Sequence, residues 1–193
     1  DPKTGMVVNL FDLKRILLDV LEEFDHKNLN LDMSYFMDRI PTSENLARLL
    51  WTKLEMQKDI GTLHAVRLYE DEDLYAEVTA AAGLDVASVT RRYSFTAVQD
   101  GNQGHEWDCF VTVHGPIDHM TGMVTDIGAL NRLVQGKVVQ AFDRQDLRQA
   151  LGAQTVTGEQ LVEHIWKQLV SSLSSGRLPK ARPVQSRDLS FEY

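Results

Sequence analysis

The chain has 193 residues, 43% hydrophobic, 25% charged and 8% aromatic, a composition that excludes a disordered tail, a collagen-like repeat and a disulfide scaffold. Lys and Arg number 20 against 28 Asp and Glu, a net charge of -8 with no basic concentration, which argues against nucleic acid as a partner. The single cysteine, Cys109, allows no internal disulfide, and no apolar run reaches the roughly 18–20 residues that cross a bilayer, so a soluble cytoplasmic protein with no membrane partner is expected.

The chain opens at Asp1 without an initiator Met or a secretory signal, and an upstream segment is expected. Leu10, Leu13, Ile16, Leu17, Val20, Leu21 and Phe24 recur every three or four residues and predict an amphipathic helix over 9–24. Pro41 and Thr42 announce a second helix, with Thr42 capping its first turn and Leu46, Leu49, Leu50 and Leu54 facing inward. The period then changes to two. Residues 63–70 predict a strand with Val66, Leu68 and Glu70 on one face, Asp71-Glu72-Asp73 a turn, and 74–80 its partner strand. The small, turn-rich stretch 81–89 around Gly83 reads as a linker. Two more strands, 93–99 and 105–113, precede helices near 127–142 and 158–173, and a final strand ends at Tyr193.

These elements repeat. Asp1, Thr4, Gly5, Met6 and Val7 recur as Asp118, Thr121, Gly122, Met123 and Val124, 117 positions on, and Leu13 and Arg15 recur as Leu130 and Arg132. After one inserted residue, Phe24 and Asp25 align with Phe142 and Asp143, and Thr42, Glu44, Leu46, Trp51 and Leu54 align with Thr157, Glu159, Leu161, Trp166 and Leu169. Two tandem units are expected, 1–81 and 90–193, the first without the opening pair of strands seen in the second. Strand, strand, helix, helix, strand, with a further strand in the first unit, implies an α+β fold: an antiparallel sheet with two helices on one face.

In the first unit Phe24-Asp25-His26-Lys27-Asn28-Leu29-Asn30-Leu31-Asp32, Tyr35-Phe36, Pro41-Thr42-Ser43-Glu44-Asn45-Leu46-Ala47 and Val66-Arg67-Leu68-Tyr69-Glu70-Asp71 follow in order. With Gly5-Met6-Val7, and Gly122-Met123-Val124-Thr125-Asp126 in the second unit, the series resembles the distal half of the 6-pyruvoyl-tetrahydropterin synthase and 6-carboxytetrahydropterin synthase family. The resemblance implies the T-fold, in which the sheets of neighbouring subunits close a barrel with helices outside. Such closure removes unpaired sheet edges, so a homo-oligomer of trimeric rings is expected. It also implies a lyase that converts dihydroneopterin triphosphate to a 6-pyruvoyl- or 6-carboxy-tetrahydropterin with loss of triphosphate.

By the same resemblance, Asp25 and His26 would be the proton-transfer pair. A carboxylate bonded to one imidazole nitrogen fixes the tautomer and raises the basicity of the other. Adjacent residues point apart in a strand, so these two can meet only on a turn; read alone, His26 is a cation at a helix C-terminus. Glu70 would anchor the guanidine-like edge of the pterin. Alternation turns it toward the buried side, where an unpaired charge is costly, whereas read alone it is a turn-entry glutamate in water. Thr42 and Ser43 would touch the ring, and the same residues also read as a helix cap.

The family binds zinc through three His, whose positions in the second unit hold Gln99, Gln103 and His105. Neutral amides are poor zinc donors, so no catalytic zinc is expected there and His105 is read as a vestigial ligand. His105, Trp107, Cys109, Val111 and Val113 share one strand face, which makes Cys109 a buried, inert thiol. Arg144 replaces His26 and cannot exchange a proton near neutrality, while Asp143 and Glu192 remain; the second unit is expected to be inactive. His64, His114, His119 and His164 fall in no ligand pattern and read as surface or packing residues. Three functions stay open: a zinc-dependent synthase using Asp25, His26, Thr42, Ser43 and Glu70, with zinc and a Cys on an opening hairpin; a module that binds a pterin or purine-like ring without turnover; and a structural T-fold subunit.

Overall fold

The structure is a computed structural model and describes residues 3, 5–58, 60–99, 104–172, 177–185 and 189–190, the last two ranges as backbone. In chain order the elements are α1 (Leu10–Glu22), α2 (Leu29–Asp32), a 3-10 turn (Ser34–Phe36), α3 (Ser43–Glu55), β1 (Ala65–Tyr69), β2 (Leu74–Thr79), β3 (Val86–Val98) and β4 (Gly104–Pro116). There follow α4 (Ile127–Val134), a π-helical turn (Gln135–Val139), α5 (Gln140–Phe142), α6 (Leu147–Leu151), α7 (Gly158–Val170), β5 (Arg177–Gln185) and β6 (Leu189–Ser190). Strand order in the sheet is β1-β2-β3-β4-β5-β6, and β4 runs antiparallel to β5 with Trp107 opposite Gln185 and Val111 opposite Ala181. No helix among the described residues is long and apolar enough to cross a membrane.

Contacts divide the chain into two compact units, one of Asp1–Tyr69, Ala76–Ala87 and Pro116–Met123, the other of Glu70–Tyr75, Ser88–Gly115 and Val124–Tyr193. In the first, α1 begins where the Asn9 side chain accepts the Phe11 N–H at 3.0 Å. Its stripe of Ile16 and Val20 is buried with Leu50, Leu54 and Ile60, and Leu13, Leu17, Phe24 and Leu46 pack against that cluster. In the second, Trp107, Cys109, Val111 and Val113 are wholly buried along one face of β4, Phe95 stacks on Trp107 at 6.5 Å, and Phe142 meets Phe95 at 5.9 Å. A capping box starts α7: Gln160 N–H donates to Thr157 Oγ1, and Thr157 N–H donates to Gln160 Oε1.

Several expectations need correction. The stretch 81–89 is a linker only in its first half, because β3 already begins at Val86 and Ala87 and Val89 are buried strand residues. β1 ends at Tyr69, so Glu70 does not continue the alternation: its N–H donates to the Leu74 carbonyl in the turn and its side chain is exposed. Asp71 enforces that end by accepting the N–H groups of Asp73 and Leu74 at 2.7 and 2.8 Å. Two short helices, α2 and α6, lie outside the expected elements. In α2, Asn28 caps Asn30 while its own N–H is taken by Asp32; α6 is bracketed by an Asp146 cap and by Gly152 in the left-handed region.

The helix over 127–142 is present, but its middle is π-helical, with the Gln140 N–H donating to the Gln135 carbonyl five residues back. That turn lies where the offset between the recurring residues grows by one, between Arg132 and Phe142, and α1 is regular throughout. A single inserted residue is what a π turn accommodates.

Cys109 is wholly buried, and burial pushes its thiol up to about 12. The native chain is therefore expected to leave a thiol reagent at pH 8 unreacted for as long as it stays folded. Reaction at the rate of a free thiol before unfolding would contradict this burial.

Candidate functional site

After α1 the backbone tightens: Phe24 N–H donates to the Leu21 carbonyl, Lys27 N–H to the Phe24 carbonyl, and His26 takes the left-handed conformation at φ 54. Outside glycine this conformation is uncommon, though histidine is among the residues that tolerate it best. It brings two neighbours together that a strand would splay, placing His26 Nε2 3.5 Å from Asp25 Oδ2. Both side chains face solvent, 94% exposed for His26 and 69% for Asp25. Beside them Leu18, Asp19, Leu21, Glu22, Phe24 and Asp25 line an open cleft of about 530 Å³.

The same turn recurs at Asp143-Arg144. Arg144 stands at φ 59, and His26 and Arg144 are the two non-glycine residues with positive φ among the described residues. Here the turn is tied to β3: Thr96 N–H donates to Asp143 Oδ1 at 3.0 Å, Arg144 N–H donates to the Thr96 carbonyl, and Val98 N–H donates to the Gln145 carbonyl at 2.9 Å. Asp143 is thus a backbone acceptor, and Arg144 Nε lies 3.7 Å from its other oxygen.

Thr42 caps α3 by accepting the Asn45 N–H at 3.3 Å, while its hydroxyl donates to the Gly122 carbonyl at 2.6 Å. Ser43 Oγ donates to Glu44 Oε2 at 3.3 Å. Glu44 is only 3% exposed, the one buried carboxylate among the described residues, and Asn45 beside it donates to the Ile40 carbonyl at 2.9 Å. The structure therefore joins Asp25 to His26 and Ser43 to Glu44, and places Glu70 in water on the β1–β2 turn. Glu44 is not among the site residues expected from the sequence. Its signal was the recurrence of Glu after Thr at both 44 and 159, yet the partner Glu159 is exposed and held below the ordinary carboxylate range by its own backbone N–H and the Thr157 side chain.

The donors for zinc do not fit the metal. Gln99 spends its amide on the Val156 carbonyl at 2.8 Å, His105 is half-buried at the start of β4, and Gln103 and Glu192 lie outside the described residues. No group of three His, Cys, Asp or Glu able to hold a metal occurs among the described residues. Elemental analysis after dialysis is expected to find no stoichiometric zinc at the His105 position. One tightly held zinc that disappears in His105→Ala would overturn that expectation.

The family model described as 6-pyruvoyl tetrahydropterin synthase matches residues 1–81 and 96–187. The 6-pyruvoyl tetrahydrobiopterin synthases of Pongo abelii and Homo sapiens are 43% and 42% identical over 74 residues, 38% of this chain and 51% of theirs. A protein of Archaeoglobus fulgidus named putative 6-carboxy-5,6,7,8-tetrahydropterin synthase is 40% identical over 76 residues, 39% of this chain and 60% of its own. The chain spans about half the length of the curated relatives it matches. A solved structure of Caenorhabditis elegans 6-pyruvoyl tetrahydropterin synthase shares the fold, the T-fold expected from the sequence, with a TM-score of 0.50 and 19% identity over 56% of this chain and 94% of that one. The match covers most of the sequence in two segments and includes the Asp25-His26 turn in the first and its Asp143-Arg144 counterpart in the second, so the chain belongs to the 6-pyruvoyl tetrahydropterin synthase family.

Proposed function

We propose that this chain carries part of a tetrahydropterin synthase site, acting on dihydroneopterin triphosphate to give a 6-pyruvoyl- or 6-carboxy-tetrahydropterin with loss of triphosphate. Asp25 and His26 form its proton-transfer pair, Glu70 anchors the ring and Thr42 and Ser43 flank it. The observation that carries the reading is the left-handed turn at His26, which holds imidazole and carboxylate 3.5 Å apart and accessible to a ligand. In that arrangement Asp25 orients the ring through one nitrogen and leaves the other free to exchange a proton. Glu70, exposed at the end of β1, keeps both oxygens available to a donor-rich ring edge.

The chain reads as a tandem duplication with an inactive second unit. Support comes from the paired turns at His26 and Arg144, the paired glycines Gly5 and Gly122 at φ 67 and 72, and the π turn that absorbs the one inserted residue. Assembly into closed barrels of trimeric rings is proposed on the family likeness and the edge strand β1. A second reading, a T-fold protein that binds a pterin or purine-like ring without turnover, is favoured by the engaged Gln99 amide and the buried Cys109 thiol, since neither can serve chemistry.

Calorimetric titration of the full chain with sepiapterin or biopterin tests the binding that both readings share. Glu70→Ala is expected to weaken it by about 1.5–3 kcal/mol, the range for a hydrogen bond to a charged group, while His26→Ala leaves affinity unchanged and removes any turnover. Equal affinity of wild type and Glu70→Ala would remove the ring anchor from the proposal.

A further inference from the structure

A second cleft, of about 420 Å³, opens where the π turn meets α6 and α7, and Gly136, Lys137, Gln145, Gln149, His164 and Gln168 are among its lining residues. It recurs at the place of the cleft beside Asp25: counting back from the aligned phenylalanines, Gly136 stands for Leu18 and Lys137 for Asp19, and Phe24 and Phe142 line their respective clefts. The chemistry has been reversed. Among the described residues, the first cleft carries three carboxylates, Asp19, Glu22 and Asp25, whereas the second carries none and presents one lysine, one imidazole and three glutamine amides in a chain of net charge -8. The inserted residue also falls here, and a π turn marks a position where an extra residue is retained despite poorer helix geometry.

We propose that this second cleft binds a small organic anion, with one carboxylate or phosphate group against Lys137 and the glutamine amides donating to its oxygens. Lys137 is exposed and makes no ion pair among the described residues, so its ammonium is free to meet an incoming charge. Glutamine amides suit the ligand's remaining polar atoms because each carries donors and an acceptor, and Gln145, which gives one N–H to the Asp143 carbonyl at 3.4 Å, keeps its second. Nothing in this inference depends on the pterin reading, because the site lies wholly in the second compact unit and uses none of Asp25, His26, Thr42, Ser43 or Glu70.

The test is a titration of the isotope-labelled full chain, at constant ionic strength so that screening does not vary, with inorganic phosphate in one series and malonate in another. The side-chain amides of Gln145, Gln149 and Gln168 report the cleft. Saturable shifts confined to these residues and Lys137, in either series, are expected below about 10 mM. Saturation by phosphate alone identifies a phosphate ester as the ligand class, by malonate alone a carboxylate, and by both a site selective for charge only. Lys137→Gln is expected to weaken binding about tenfold or more. Gly136→Leu is expected to abolish it, because a Cβ at Gly136 meets nothing within 4 Å and its side chain would grow into the cleft without backbone strain. Shifts that never saturate, that scatter over other basic residues, or that persist equally in Lys137→Gln would overturn the proposal, and the wild-type series decides it even if Gly136→Leu fails to fold.

Discussion

Phe142→Ala is expected to cost about 3–5 kcal/mol of folding stability, and Phe24→Ala, at the position that aligns with it, only about 1 kcal/mol. Phe142 is 1% exposed, its ring 5.9 Å from Phe95 and 5.8 Å from His164, and Phe95 in turn stacks on Trp107. Phe142 also edges the second cleft, but its ring is covered, and removing it leaves a void between Phe95 and His164 that rigid strand and helix cannot collapse to fill. Phe24 is half-buried at the rim of an open cleft and touches its cluster from one side, so water replaces the ring at little cost. Urea unfolding of both variants measures the difference. Equal losses would mean that the two aromatic positions are enclosed alike.

Much of this architecture was legible in the sequence because local chemistry and tertiary packing agree. Asn9 and Thr42 cap the helices that the apolar spacing announces, and the stripe that stops at Phe24 correctly marks the turn at Asp25-His26. Legibility failed where a local rule was carried one residue too far. Alternation along β1 would have buried Glu70, but the Asp71 side chain closes the turn first and leaves Glu70 in water. Small residues at 81–89 looked like a linker, yet Ala87 lies flat in the buried face of β3, where packing rather than propensity decides. The inserted residue before Phe142 was visible as a change of offset, while its form, a π turn, depends on keeping Leu130, Val134, Val138 and Phe142 all buried on one face. The roles of Asp143 and Gln99 were out of reach, since each is set by a backbone partner distant in sequence, Thr96 in one case and Val156 in the other.

The same contrast between aligned positions gives a second large effect, at glycine. Gly122 stands at φ +72, closing a turn in which Asp118 Oδ1 accepts the N–H groups of Met120 and Thr121. A Cβ there would lie 2.7 Å from Asn45 Nδ2 and 3.1 Å from Thr42 Cγ2. Neither group can retreat cheaply: Asn45 is buried and donates to the Ile40 carbonyl, and Thr42 donates to the Gly122 carbonyl while capping α3. Gly122→Ala therefore combines left-handed strain with a displaced cap and a strained buried amide, and is expected to cost about 2–4 kcal/mol. Gly5, its counterpart at φ +67, has nothing within 4 Å of a Cβ, so Gly5→Ala carries the conformational term alone, about 1 kcal/mol. Because Thr42 and Ser43 lie on the displaced helix start, Gly122→Ala should also lower pterin affinity if those residues flank the ring, whereas Gly5→Ala should not. Denaturation and calorimetry on the same two variants separate these effects. Equal destabilisation by both would show that backbone strain alone is felt at Gly122 and that Asn45 and Thr42 yield freely.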